Sequence, residues 1–239
     1  MTSYFYAIKT LIEHRINELP LTSKTLEEMI IKEGWKIAYF NLNAKESLEM
    51  LEKLNILEYA QKYNGFSLKK DRFQSVFLKS NLSSANTAFV LAHELGHIKI
   101  GHFSNSGVLG KHSDTGCDDQ QEAEANAFAR HLLAPECILK KIHVETINDL
   151  ESHTLLKGDV LKAHYTDYKF CKKGTTPEED ILIGNFTNYI KKHRKRDKLK
   201  KMFIRFLIPI LVFIFILISY NIAIKIDKIP LSSNNYVLL

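Results

Sequence analysis

The stretch His93-Glu94-Leu95-Gly96-His97-Ile98-Lys99-Ile100-Gly101-His102 opens with HExxH, two histidines four residues apart with a glutamate after the first. On a helix, residues at i and i+4 stand one turn apart on the same face, so two imidazoles reach one tetrahedral Zn²⁺. Glu94 is rotated off that line toward a water at the ion's open position, which makes it the candidate general base. The preceding ANTAFVLA, residues 85–92, continues a buried helical pattern, and Asn81, Ser83 or Ser84 offers an N-cap. The motif therefore falls inside a helix, where its geometry requires it.

A catalytic zinc needs a third protein ligand and one open position. His102 follows His97 by five residues, one short of the HExxHxxGxxH offset, and Gly101 is off that pattern's glycine position, so His102 reads as a polar residue near the helix end. The better source is EAEANAFARHLLAP, residues 122–135. Its alanines and leucines favour helix, Asp118 or Asp119 serves as cap, and Pro135 stops it. Glu124, Ala127, Phe128 and His131 share one face at i, i+3, i+4 and i+7, and a carboxylate in such a small, apolar stripe is costly unless paired or metal-bound. Glu122 lies about 200° round the helix from Glu124 and reads as solvent-facing, which leaves it the alternative ligand. His131, on the Glu124 side, is a candidate for an oxyanion or outer contact, and Arg130 reads as exposed.

HELGH followed after about 25 residues by EAxxFAxxLLxP resembles the ImmA/IrrE family of metallo-endopeptidases, over residues 5–140. The resemblance implies Glu124 as the third zinc ligand beside His93 and His97, with zinc-activated water attacking a peptide bond and Glu94 carrying the proton. It also implies that the strand just before the HExxH helix flanks the site. As substrate it implies a helix-turn-helix repressor. A second reading is a zinc-bound module that sequesters a regulatory partner without cutting it, which needs Cys117 or His102 to close the fourth position.

The chain's net charge of +6 is local: KKHRKRDKLKK, residues 191–201, holds eight Lys or Arg against one Asp. Next to it, residues 206–224 (FLIPILVFIFILISYNIAI) run 19 residues without a charge, about 28 Å as a helix and enough for a bilayer core. The basic run therefore reads as a topological, lipid-contacting element, and direct nucleic-acid binding is not expected. Only Lys225 and Lys228 follow the span, so the positive-inside rule places the catalytic part in the cytoplasm on a single-pass anchor. Met1–Pro20 lacks the apolar core of a secretion signal. Cys117, Cys137 and Cys171 form no CxxC pair, as expected for reduced thiols.

The remaining pattern is α+β: a small sheet packed on a helical layer that carries the zinc helix, followed by a C-terminal transmembrane helix. Helices are expected over residues 4–19, 23–33 and 48–63, and strands over 35–40, 65–69 and 74–79. Thr176-Pro177-Glu178-Glu179 starts a helix that runs on through the basic segment. The domain reading is a zinc peptidase domain over 1–140, a helical extension over 141–190, a basic segment over 191–201, a span over 202–224 and a short extracytoplasmic tail over 225–239.

Overall fold

The computed structural model describes residues 2–70, 73–103, 118–170 and 175–227. The chain order is α1 (Ser3–Glu13), α2 (Ser23–Lys32), β1 (Lys36–Phe40), α3 (Lys45–Lys53), α4 (Leu57–Lys62), β2 (Gly65–Lys70), β3 (Phe73–Lys79), α5 (Ser84–Ile100) and α6 (Asp118–Leu133). Then follow α7 (Glu136–Lys141), α8 (Ile147–His153), α9 (Gly158–Phe170), α10 (Pro177–Asn185) and α11 (Thr187–Asp227). The architecture is α+β, as the residue pattern indicates.

The sheet has the order β1-β3-β2, with β1 parallel and β2 antiparallel to β3. Period-2 alternation sorts its side chains onto two faces. Phe66, Leu68 and Phe77 join Phe40, Leu51, Ile56 and Ala60 in a small core under α3 and α4. Val76 and Leu78 face the other way, into the main core with Leu91, Ala92 and Leu95 of α5. On that same face β2 carries Gly65 and Ser67. A Cβ on Gly65 would stand 2.3 Å from Val90 Cγ1, so strand and helix touch only because this residue has no side chain.

Several helices end where a backbone feature forces them to. α1 stops at Glu13, short of the expected Leu19, because Arg15 takes φ 54°. The expected helix over 48–63 is two helices, broken where Asn55 takes φ 54°. Asn is among the few residues that tolerate this left-handed region. The C-terminal helix is also divided: Thr176 caps α10 through a capping box with Glu179, and α10 ends at Phe186 before α11 begins.

Residues 1–190 form one compact unit, and residues 191–239 form a second. Leu150, Leu161, Leu182 and Phe186, from α8, α9, α10 and the α10 cap, lie in the same core as Ile8, Leu11 and Leu132, so the helices after residue 141 are part of the first unit's packing. In the second, α11 continues without a break through Pro209, which is interior to the helix and not in a first turn. Its apolar side chains from Phe203 to Ile218 are largely exposed, and the segment is long and apolar enough to cross a membrane.

Candidate metal centre

Helix α5 is capped by the Ser83 hydroxyl and closed at Gly101, which takes φ 85°. That left-handed turn sends the His102 N–H back to the His97 carbonyl at 3.1 Å and folds its ring onto the last turn of the helix. Mid-helix, His93, Glu94 and His97 are 7%, 4% and 1% exposed, so all three polar side chains are held in the interior. The Nε2 atoms of His93 and His97 lie 3.1 Å apart and point to the same place.

The carboxylate that meets them is Glu122. Its Oε2 lies 3.3 Å from His93 Nε2 and its Oε1 3.3 Å from His97 Nε2. Glu124, expected in this position from the family resemblance, is placed elsewhere: its Oε2 bonds His102 Nε2 at 3.1 Å, and its Oε1 accepts from Gln120 at 3.0 Å. The cause is the rotational setting of α6. A Cβ on Gly96 would lie 3.2 Å from both the Cα and the carbonyl oxygen of Ala125, so the two helices approach backbone to backbone there. The face of α6 turned to α5 is then Glu122, Ala125, Asn126 and Ala129, at i, i+3, i+4 and i+7. Ala125 and Ala129 are fully buried on it.

Hydrogen bonds set the protons of both imidazoles. His93 Nδ1 lies 3.0 Å from Asn126 Oδ1, a pure acceptor, so Nδ1 carries the proton and Nε2 keeps its lone pair. His97 reaches the same state through a longer chain. The Glu124 carboxylate only accepts, so His102 donates from Nε2; its Nδ1 then accepts from His97 Nδ1 at 2.9 Å, again freeing His97 Nε2. Burial, then the neighbouring His97, hold His102 below the usual histidine range, which favours its neutral, accepting form. Hydrogen bonds from Gln120 and His102 hold Glu124 below the usual carboxylate range. Two lone pairs and a carboxylate converging on one point are the donor set of a three-ligand metal site with an open position. Glu124 and His102 thus serve the centre from behind His97, and His102 has both ring nitrogens engaged there.

Glu94 Oε2 accepts a 2.7 Å hydrogen bond from Ser67 Oγ on β2, a partner not anticipated from the motif. A cleft of about 320 Å³ opens on the centre, lined by Tyr63, Asn64, Gly65, Phe89, His93, Glu94, Glu122 and Asn126 among others. The flanking strand is therefore β2, at the sheet's edge, while β3, which directly precedes α5, is central and covered on both sides. His131 is turned elsewhere, with Nδ1 2.6 Å from Glu136, and Arg130 pairs with Asp167. Burial pushes the Cys137 thiol up to about 12, helped by Glu179 and Glu136, so it stays protonated. Cys117 and Cys171 lie outside the described residues.

Residues 51–165 match the peptidase M78 family, described as the IrrE N-terminal-like domain. The match continues past residue 140, where the motif-based resemblance ends, and takes in α7, α8 and most of α9. The chain is also similar to the uncharacterized immunity region protein 2 of Bacillus phage phi105, 34% identical over 77 residues. Those cover 32% of this chain and 48% of the phage protein, so the chain spans about half the length of that relative. No solved structure matches. The stretch that matches the M78, IrrE N-terminal-like family model, residues 51–165, is the one that holds the HExxH helix, the converging carboxylate and the lining of the cleft.

Proposed function

We propose that this protein is a membrane-anchored, zinc-dependent endopeptidase that hydrolyses a peptide bond in a regulatory protein, with His93, His97 and Glu122 as metal ligands and Glu94 as general base. The observation that carries the proposal is the convergence of His93 Nε2, His97 Nε2 and the Glu122 carboxylate beside a buried, hydrogen-bonded Glu94 at the floor of a cleft. A purely structural site closes its fourth position with protein and has no use for a base. When bound there, such an ion supplies a water of lowered pKa and polarises the scissile carbonyl.

The chain's own groups do the rest. Ser67 holds Glu94 by one oxygen, leaving the other to take a proton from the attacking water and pass it to the departing amine. Asn126, and His102 with Glu124, keep both imidazoles in the tautomer that offers Nε2. An extended substrate lies along the outer edge of β2, where strand addition supplies main-chain hydrogen bonds, and enters the cleft at Asn64 and Gly65.

The family match and the immunity-region relative support a repressor-type regulatory protein as substrate. The apolar span of α11, with eight basic residues before it, supports a single-pass anchor whose catalytic part faces the cytoplasm. The test is a comparison of new protein termini in cells expressing wild type or Glu94→Gln from one promoter. Termini that depend on Glu94 are expected, and they identify the substrate; their absence across inducing stresses, with metal bound to the wild type, would leave the sequestering role instead.

A further inference from the structure

A second group of ligating side chains lies at the far end of α6, where the peptidase chemistry makes no use of it. His131 is in the last turn of α6, Glu136 is the first residue of α7 just past Pro135, and His164 is in the middle of α9. One donor atom from each lies within 4.8 Å of the others. His131 Nδ1 is 2.6 Å and His164 Nε2 3.8 Å from the same oxygen, Glu136 Oε1.

The cluster is sealed: the side chains of His164 and Glu136 are 0% and 2% exposed, and that of His131 is 15% exposed. Polar groups so deep are ordinarily all hydrogen-bonded. Here both ring nitrogens of His164 and Glu136 Oε2 have no hydrogen-bond partner. His164 approaches the backbone of Ala134 without hydrogen-bond geometry. A hydrophobic residue at 164 would spare the core this cost, so an imidazole aimed at a buried carboxylate needs a reason.

We propose that His131, Glu136 and His164 form an interior binding site for a second divalent transition ion of the Zn²⁺ type, separate from the catalytic centre. Two imidazoles and a carboxylate are a donor set that Zn²⁺ accepts readily. Tetrahedral ligands at Zn–N and Zn–O distances of about 2.0–2.2 Å stand roughly 3.4 Å apart, so side-chain rotations of about an ångström bring these three into place. The ion replaces the His131–Glu136 hydrogen bond and gives His164 and Glu136 Oε2 the partner they lack. Three protein ligands leave the fourth position to a water, and a site this enclosed admits no peptide, so the ion here holds helices together and does no peptide chemistry. It pins α9 to the α6–α7 corner, and α6 carries Glu122 and Asn126 at its other end.

The test uses the full-length chain purified in detergent, stripped with chelator, reloaded with Zn²⁺ or Co²⁺ and assayed for bound metal per chain. Wild type should hold two ions, and His93→Ala/His97→Ala should hold one, with a Co²⁺ d–d spectrum of low coordination number and a Zn²⁺-dependent rise in Tm. Adding Glu136→Gln, which keeps the size and a hydrogen bond to His131, or His164→Asn should remove that last ion and the Zn²⁺ effect on Tm. A folded His93→Ala/His97→Ala protein with no ion would overturn the site, and so would an ion that survives both further substitutions. The first comparison decides the matter even if one of the added variants does not fold.

Discussion

At the scale of single residues, the centre depends on hydrogen bonds that aim and protonate groups which the motif only names. Glu94 is buried, and the Ser67 hydroxyl is the contact that holds its carboxylate. A hydrogen bond to a charged group contributes about 1.5–3 kcal/mol, so Ser67→Ala should lower kcat/KM by roughly ten-fold or more. Metal content should be unchanged, because Ser67 touches no ligand. Steady-state rates on the identified substrate with parallel metal analysis check this. HExxH alone located His93, Glu94 and His97. It could not reveal Ser67, which is 27 residues away and reaches Glu94 only through the pairing of β2 with β3 and the packing of both on α5. Glu122, not Glu124, is turned toward the two imidazoles for a related reason. Two glutamates two residues apart both fit a helix, and which one turns inward depends on how α6 docks. The clue present in the sequence was Ala125-Asn126 with Ala129, a ridge of small residues matching Gly96 on the partner helix.

At the scale of elements, the α5–α6 contact sets the distance between the imidazoles and Glu122. Gly96, between the two histidines, lets the Ala125 backbone approach, and a methyl group there would also lie 3.0 Å from Phe128 Cδ1. Gly96→Ala should therefore cost about 1–3 kcal/mol in overpacking, despite the better helix propensity of alanine. It should also weaken metal binding by pushing α6 and its carboxylate outward. Thermal unfolding and competition with a chromogenic chelator read the two effects separately; a variant as stable and as tight as wild type would mean that this contact does not set the site. Helix existence was legible from period and caps, as at Ser83 for α5 and Thr176 for α10. The breaks at Arg15 and Asn55 were not, because a single residue in a left-handed conformation leaves the apolar spacing on either side intact.

On the scale of the whole molecule, the stretch that matches the M78 family model, residues 51–165, sits within a compact unit that extends to residue 190, and a basic, then apolar helix follows. The helices after residue 141 pack in the same core as α1 and α6. Tyr4 of α1 donates to Glu179 of α10, and Leu182 is fully buried in the same core as α1. The boundary expected near residue 140 rests on where the motifs end, and core packing past that point carries no short signature. Deleting residues 202–239 should release the protein from the membrane fraction and keep Glu94-dependent cleavage in a reconstituted assay, as sedimentation and activity would report. Retention of the truncated chain in the membrane fraction would contradict the anchor.

The most direct test of the centre is metal binding by Glu122→Gln and Glu124→Gln, compared with wild type under identical loading. Glu122→Gln should lose one ion per chain, or at least 100-fold in affinity, together with activity. Glu124→Gln should keep that ion, with an affinity loss of about ten-fold, the lower end of the scale for a residue that acts through another ligand. The reverse pattern, with the ion lost from Glu124→Gln and kept by Glu122→Gln, would contradict the assignment of Glu122 as the third ligand.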